Sequence, residues 1–77
     1  MSKAEAATGN EARAARGTAL LAAYVDEMNR EGFYGEDAET TLTDVLADLR
    51  HMCDTVGVNY LAADMSAEIH YLAEAGK

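Results

Sequence analysis

Residues 42–56 read LTDVLADLRHMCDTV and carry the strongest amphipathic pattern in the chain. Apolar side chains return every third or fourth residue, as they do on one face of an α-helix. The pattern predicts a helix whose apolar face supplies the centre of the core. The residues of this face are Leu42, Val45, Leu46, Leu49, Met52, Cys53 and Val56. We expect the Cys53 thiol to be buried there as a small apolar side chain.

Two further helices are predicted on either side of this one. The first, over about 10–30, carries an apolar face that runs from Gly17 to Met28, and the third, over about 60–73, carries one that runs from Leu61 to Leu72. Between the second and third helices, Gly57 suits the left-handed position after a helix end and Asn59 suits a helix N-cap.

The predicted fold class is therefore all-α, a three-helix domain with helices over about 10–30, 39–56 and 60–73. Residues 1–9 contain no apolar side chain larger than alanine after Met1, so we expect them to form a flexible N-terminal tail. The remainder, residues 10–77, is expected to be a single helical domain.

Two adjacent aromatic residues, Phe33 and Tyr34, lie between Gly32 and Gly35 where the first helix must end. Such a pair can fold back onto the core. The alternative is that one of the two side chains stays exposed and anchors an interface.

Length and charge narrow the classes of function. The chain has 77 residues, a net charge of −8 and one cysteine, which predicts a small single domain in a reducing, cytoplasmic setting. If a phage encodes it, this would be the cytoplasm of the host cell. Direct binding to nucleic acid or to anionic lipid needs clustered Lys and Arg, which are missing. No segment has the length and apolar character of a membrane span. A basic protein surface or a second copy of the chain is the expected partner.

The acidic residues occur in pairs four residues apart. Residues 26–75 contain twelve Asp or Glu residues and only two bases, Arg30 and Arg50. Each pair shares one helix face, where like charges cost about 0.2–0.5 kcal/mol. The three pairs are Glu27 with Glu31, Asp44 with Asp48, and Asp64 with Glu68. His51 is predicted to lie beside Asp44 and Asp48, opposite the core.

A row of four residues on the third helix combines aromatic and small side chains: Tyr60, Ala63, Ala67 and Tyr71. This row can be the face on which the first helix packs. It can equally be a dimer or partner interface, because Tyr supplies contact area at low entropic cost.

The two histidines suggest a metal site only weakly. The spacing Asp48-x-x-His51 is similar to the carboxylate-x-x-His unit of helical di-metal proteins. However, such ligands project into a bundle core, whereas His51 and His70 are predicted on polar faces. We therefore expect no metal and no cofactor. The sequence also has no activated nucleophile and no phosphate-binding glycine loop, which argues against an enzyme.

Three stretches in residues 40–75, about half of the chain, carry a resemblance: TLTDVLADLRHMCD (41–54), GVNY (57–60) and HYLAE (70–74). They resemble small, largely uncharacterised proteins of bacterial plasmids, phages and integrated elements that share the pattern TDLLADLLHLCD…G.DF…A..HFEAE. Asn59 and Leu72 depart from that pattern, which has Asp and Glu there. The resemblance implies a mobile-element setting and no particular activity.

Three hypotheses about function follow. The first is a non-enzymatic inhibitor whose carboxylate rows imitate phosphates and bind a nucleic-acid-handling host complex. In size and charge, the chain resembles small acidic proteins that block host defence, including anti-CRISPR proteins. The second is a homodimeric helical module without mimicry, and the third is a small metal or nucleotide site. The candidate partner-binding residues are Glu27, Glu31, Asp44, Asp48, His51, Tyr60, Asp64, Glu68, His70 and Tyr71.

Overall fold

The computed structural model describes the backbone of residues 3–76 and the side chains of residues 9–76. It contains α1 (Lys3–Arg30), α2 (Ala38–Val56) and α3 (Tyr60–Ala75), with no strand in this part of the chain. The predicted all-α, three-helix fold class is confirmed. α1 begins earlier than the predicted start near Asn10, in an alanine-rich stretch of high helix propensity. Of the predicted flexible tail, residues 1–9, residues 1 and 2 and the side chains of residues 3–8 lie outside what the structure describes.

The starts of α2 and α3 are fixed by side-chain caps. The Asp37 carboxylate accepts a hydrogen bond from the backbone N–H of Thr40 at 2.7 Å, and this bond lowers the pKa of Asp37. The Asn59 side-chain oxygen accepts from the backbone N–H of Ala62 at 3.0 Å, which confirms the predicted cap. Each cap satisfies an N–H group that has no partner within its helix.

The turn between α2 and α3 depends on Gly57. Its φ of 79° lies in the left-handed region, as predicted. The backbone N–H groups of Gly57 and Val58 both donate to the Cys53 carbonyl, each at 3.0 Å. This arrangement ends α2 sharply and sends the chain into α3 within three residues.

The buried core is small. Among the described side chains, the buried residues are Thr41, Val45 and Cys53. The buried thiol of Cys53 confirms one prediction, and the Thr41 hydroxyl donates to the Asp37 carbonyl at 2.8 Å.

The prediction that the whole apolar face of α2 forms the centre of the core is wrong. Leu42, Leu46, Leu49, Met52 and Val56 are 36% to 60% exposed. The reason is the way in which the helices meet. α1 lies along the first half of α2 on its Thr41 and Val45 side, whereas α3 contacts the other helices near its two ends.

The molecule is consequently open. Its Cα atoms extend over 45 × 29 × 17 Å with a radius of gyration of 14.9 Å. A compact chain of this length has a radius of about 11.5 Å. Among residues 3–76, no helix is both long enough and apolar enough to cross a lipid bilayer.

Both aromatic side chains of the pair after α1 are exposed. Phe33 lines a cavity of about 50 Å³ together with Met28 and Thr41 but is itself 55% exposed, and Tyr34 is 72% exposed. The pair is therefore not folded back into the core, and both side chains are open to an interface.

Candidate protein-binding surfaces

Asp44 and Asp48 lie next to α1 and not on a free face of α2. The Tyr24 hydroxyl donates to Asp48 Oδ2 at 2.6 Å, and Asp44 is half-buried. This hydrogen bond is the main reason that the pKa of Tyr24 is raised to about 12. The prediction that this pair lies opposite the core is wrong, because the Thr41 and Val45 side of α2 faces α1 and brings both acids to its edge. His51 is exposed, as predicted.

Asp44 also interacts with Glu36 in the loop before α2. A hydrogen bond with the Asp44 carboxyl group raises the pKa of Glu36, and partial loss of hydration and repulsion from Asp44 and Asp37 act in the same direction. The folded state therefore holds a proton on Glu36 more tightly than the unfolded chain does. This contribution to stability is present at acidic pH and is lost as pH rises through the raised pKa.

We accordingly expect Glu36→Gln to raise the thermal midpoint near neutral pH. The amide keeps a donor for Asp44 and carries no charge, so the repulsion disappears. The gain should shrink below the ordinary carboxyl range, where Glu36 itself is protonated. Glu31→Gln is the matched control. Both residues are exposed, but Glu31 is not one of the charged neighbours that raise the pKa of Glu36. Equal gains for the two variants at both pH values would contradict the Glu36–Asp44 interaction.

The aromatic row of α3 contacts the other helices at both ends. The Arg50 guanidinium lies over the Tyr60 ring, 5.5 Å from its centroid, and Tyr60 is half-buried. Tyr71 lines a cavity with Asn10, Arg13 and Ala14 of α1. The Tyr71 end of the row therefore lies beside α1 while Tyr71 stays 55% exposed, and the Tyr60 end contacts α2. Ala63 and Ala67 between them are exposed, so the row as a whole is not the face on which α1 packs.

The end of α3 is attached to α1 by two polar contacts of Glu74. The Asn10 side-chain amide donates to the Glu74 carbonyl at 2.9 Å, and Arg13 Nε forms an ion pair with Glu74 Oε2 at 2.7 Å. We call these two contacts the Glu74 clasp. Both charged side chains are 37% exposed, so the clasp lies at the surface.

Most of the acidic residues have no cationic partner. Of the twelve acids in residues 26–75, Glu74 pairs with Arg13 and Glu27 pairs with Arg30, which leaves ten without an ion pair among the described side chains. Glu31, Asp64 and Glu68 are exposed. Asp64 and Glu68 thus form the pair that is least involved in internal contacts, a distinction that helical spacing alone could not make.

His70 is exposed on α3. Among residues 9–76, no three or more His, Cys, Asp or Glu side chains come close enough to hold a metal ion. The two histidines and their neighbouring carboxylates are therefore not brought together into a ligand set.

Two apolar surfaces that the sequence assigned to the core are open. The first is the α1–α2 groove, formed by two adjoining depressions of about 380 and 310 Å³ that share Leu20 and Val45. Its other lining residues are Ala14, Gly17, Thr18, Leu21, Ala23, Tyr24, Leu42, Asp48 and Leu49. The second is the α3 stripe, Leu61, Met65 and Ile69, which are 56%, 70% and 66% exposed.

Helical periodicity identified the residues of these two surfaces but not their exposure. The length of the chain indicates that some of this surface stays exposed, because 77 residues rarely bury three full apolar faces.

Comparison with protein-family models, curated proteins and solved structures gives no match for this chain.

Proposed function

We propose that this chain is a small, non-enzymatic module that binds a basic surface on a nucleic-acid-handling protein. The observation that carries the proposal is the set of ten acids without an ion pair among the described side chains. An unpaired surface carboxylate keeps its acceptor sites free for Arg and Lys of a partner. A net charge of −8 would also steer such a partner toward the complex.

Asp64 and Glu68 are the residues that we assign to this contact first. Side chains four apart on a helix repeat at about 6 Å, so a row of carboxylates can occupy arginines and lysines that otherwise hold successive phosphates. Asp48 is less suited to this role, because one of its oxygens already accepts the Tyr24 hydroxyl. In the mobile-element setting that the sequence resemblance implies, the target would be a cytoplasmic host defence complex of the CRISPR type.

Capture from a bacterial lysate on the immobilised chain tests this function. We expect basic nucleic-acid-binding proteins to be retained, to elute with rising salt, and to be displaced by duplex DNA but not by a neutral polymer. Combining Asp64→Asn with Glu68→Gln should weaken binding about tenfold, taking about 0.7 kcal/mol for each surface ion pair.

The matched control is Asp44→Asn combined with Asp48→Asn, which removes the same charge from the pair that borders α1 and should weaken binding less. Capture that ignores both salt and DNA would reject the proposal. A loss confined to the Asp44 and Asp48 variant would reject the assignment to α3.

A further inference from the structure

The α1–α2 groove and the α3 stripe are complementary in chemistry but do not meet within one chain. α3 leaves α2 through the three-residue turn at Gly57, and the Glu74 clasp holds its far end against α1. Between these two attachments its apolar side chains are open, and Met65 is 70% exposed. An apolar helix would bury the α1–α2 groove, and an apolar groove would bury the α3 stripe.

The accessible surface shows how much area a partner would have to cover. A compact protein of this mass exposes about 4,500 Å², whereas this chain of 8.2 kDa exposes 6173 Å². The excess is about 1,600 Å². If the nine residues without described side chains are counted with the surface of an extended chain, the excess over a compact protein is still about 600 Å².

These areas match an interface between two copies. Burying about 600 to 1,600 Å² on each chain gives about 1,200 to 3,200 Å² in total, the range from standard to obligate dimer interfaces. A two-fold arrangement would use the groove and the stripe of both chains at once, because each patch finds its complement on the other copy. It would also enlarge a core in which, among the described side chains, Val45 and Cys53 are the buried apolar ones.

The distribution of charged residues is compatible with this pairing, although the chain is acidic. The stripe is uncharged, and the groove contains one acid, Asp48, which accepts the Tyr24 hydroxyl. By helical spacing, Asp64 and Glu68 lie beside the stripe and would form a solvated rim. Repulsion between such rims is screened by salt, so self-association should tighten as salt is added. Binding of a basic partner would weaken under the same change.

We infer that two copies of this chain form a homodimer in which the α3 stripe of each covers the α1–α2 groove of the other. Sedimentation equilibrium of the full chain at micromolar concentration should give twice the mass of 8.2 kDa. The thermal midpoint should rise with protein concentration. Met65→Lys should give the single-chain mass, whereas Ser66→Lys, which adds the same charge at the next position outside the stripe, should leave the dimer intact.

A mixing experiment keeps the inference testable if the variants do not fold alone. Leu42→Lys damages the groove and Met65→Lys damages the stripe. In an equimolar mixture, the intact groove of one chain can meet the intact stripe of the other, so we expect helical structure and dimer mass that neither variant shows alone. A folded wild-type monomer, a dimeric Met65→Lys variant, or a mixture without recovery would each overturn the inference.

Discussion

Replacing Val45 with aspartate is expected to abolish the folded state near neutral pH. Val45 is 6% exposed, and it lines both depressions of the α1–α2 groove. A carboxylate there would lose its hydration beside Leu20 without gaining a cationic partner. Unpaired buried charges destabilise proteins by more than about 4 kcal/mol, which is comparable with the whole stability of many small domains.

Ala47→Asp provides the comparison, because Ala47 is exposed on the other side of the same helix. It makes the same change in net charge and should cost less than about 1 kcal/mol through helix propensity. The urea midpoint of unfolding of both variants would be measured by circular dichroism at 222 nm, which follows the loss of helix. A Val45→Asp variant that unfolds at the wild-type urea midpoint would show that the contact between α1 and α2 does not hold the fold together.

Replacing Gly57 with valine should cost about 2 kcal/mol of folding stability. A β-branched residue strongly avoids the left-handed φ of 79° that Gly57 adopts. A Cβ at this position would meet no atom within 4 Å, so the expected loss comes from the backbone and not from a clash. The urea midpoint should fall, and the direction in which α3 leaves α2 should be less well fixed.

Gly57→Asn separates the backbone effect from other consequences of adding a side chain. Asparagine tolerates the left-handed region better than valine does, so its cost should be clearly smaller. If asparagine and valine destabilised the protein equally, the positive φ would not be the cause. Gly17→Val is not a substitute for this comparison, because Gly17 lies within α1 and lines the groove.

The helices and their turns could be predicted from local chemistry. The left-handed position of Gly57 and the cap of Asn59 are decided by the preferences of single residues, and the structure has both. α1 extends beyond the predicted start near Asn10 to Lys3, because an alanine-rich stretch supports a helix without an apolar face.

The way in which the helices face each other could not be predicted in the same manner. The apolar face of α2 is broad, and periodicity does not say which part of it a neighbour covers. The structure buries Val45 and leaves Leu46 exposed, although both belong to the same predicted face. The rotation of α2 about its own axis also decides whether Asp44 and Asp48 face solvent or border α1. Tyr24 carries a signal for this arrangement in the sequence. Its hydroxyl needs a hydrogen-bond partner when its ring packs against another helix, and that partner is Asp48.

The Glu74 clasp has a consequence for the order of folding. It joins residues that are 64 positions apart, and closing a loop of that length unaided costs about 3.7 kcal/mol of chain entropy. One surface ion pair and one hydrogen bond together return about 2 kcal/mol. We therefore expect the clasp to form after α1 and α2 have packed and shortened the loop. The end of α3 should accordingly dock late in folding and be the first part of the fold to open.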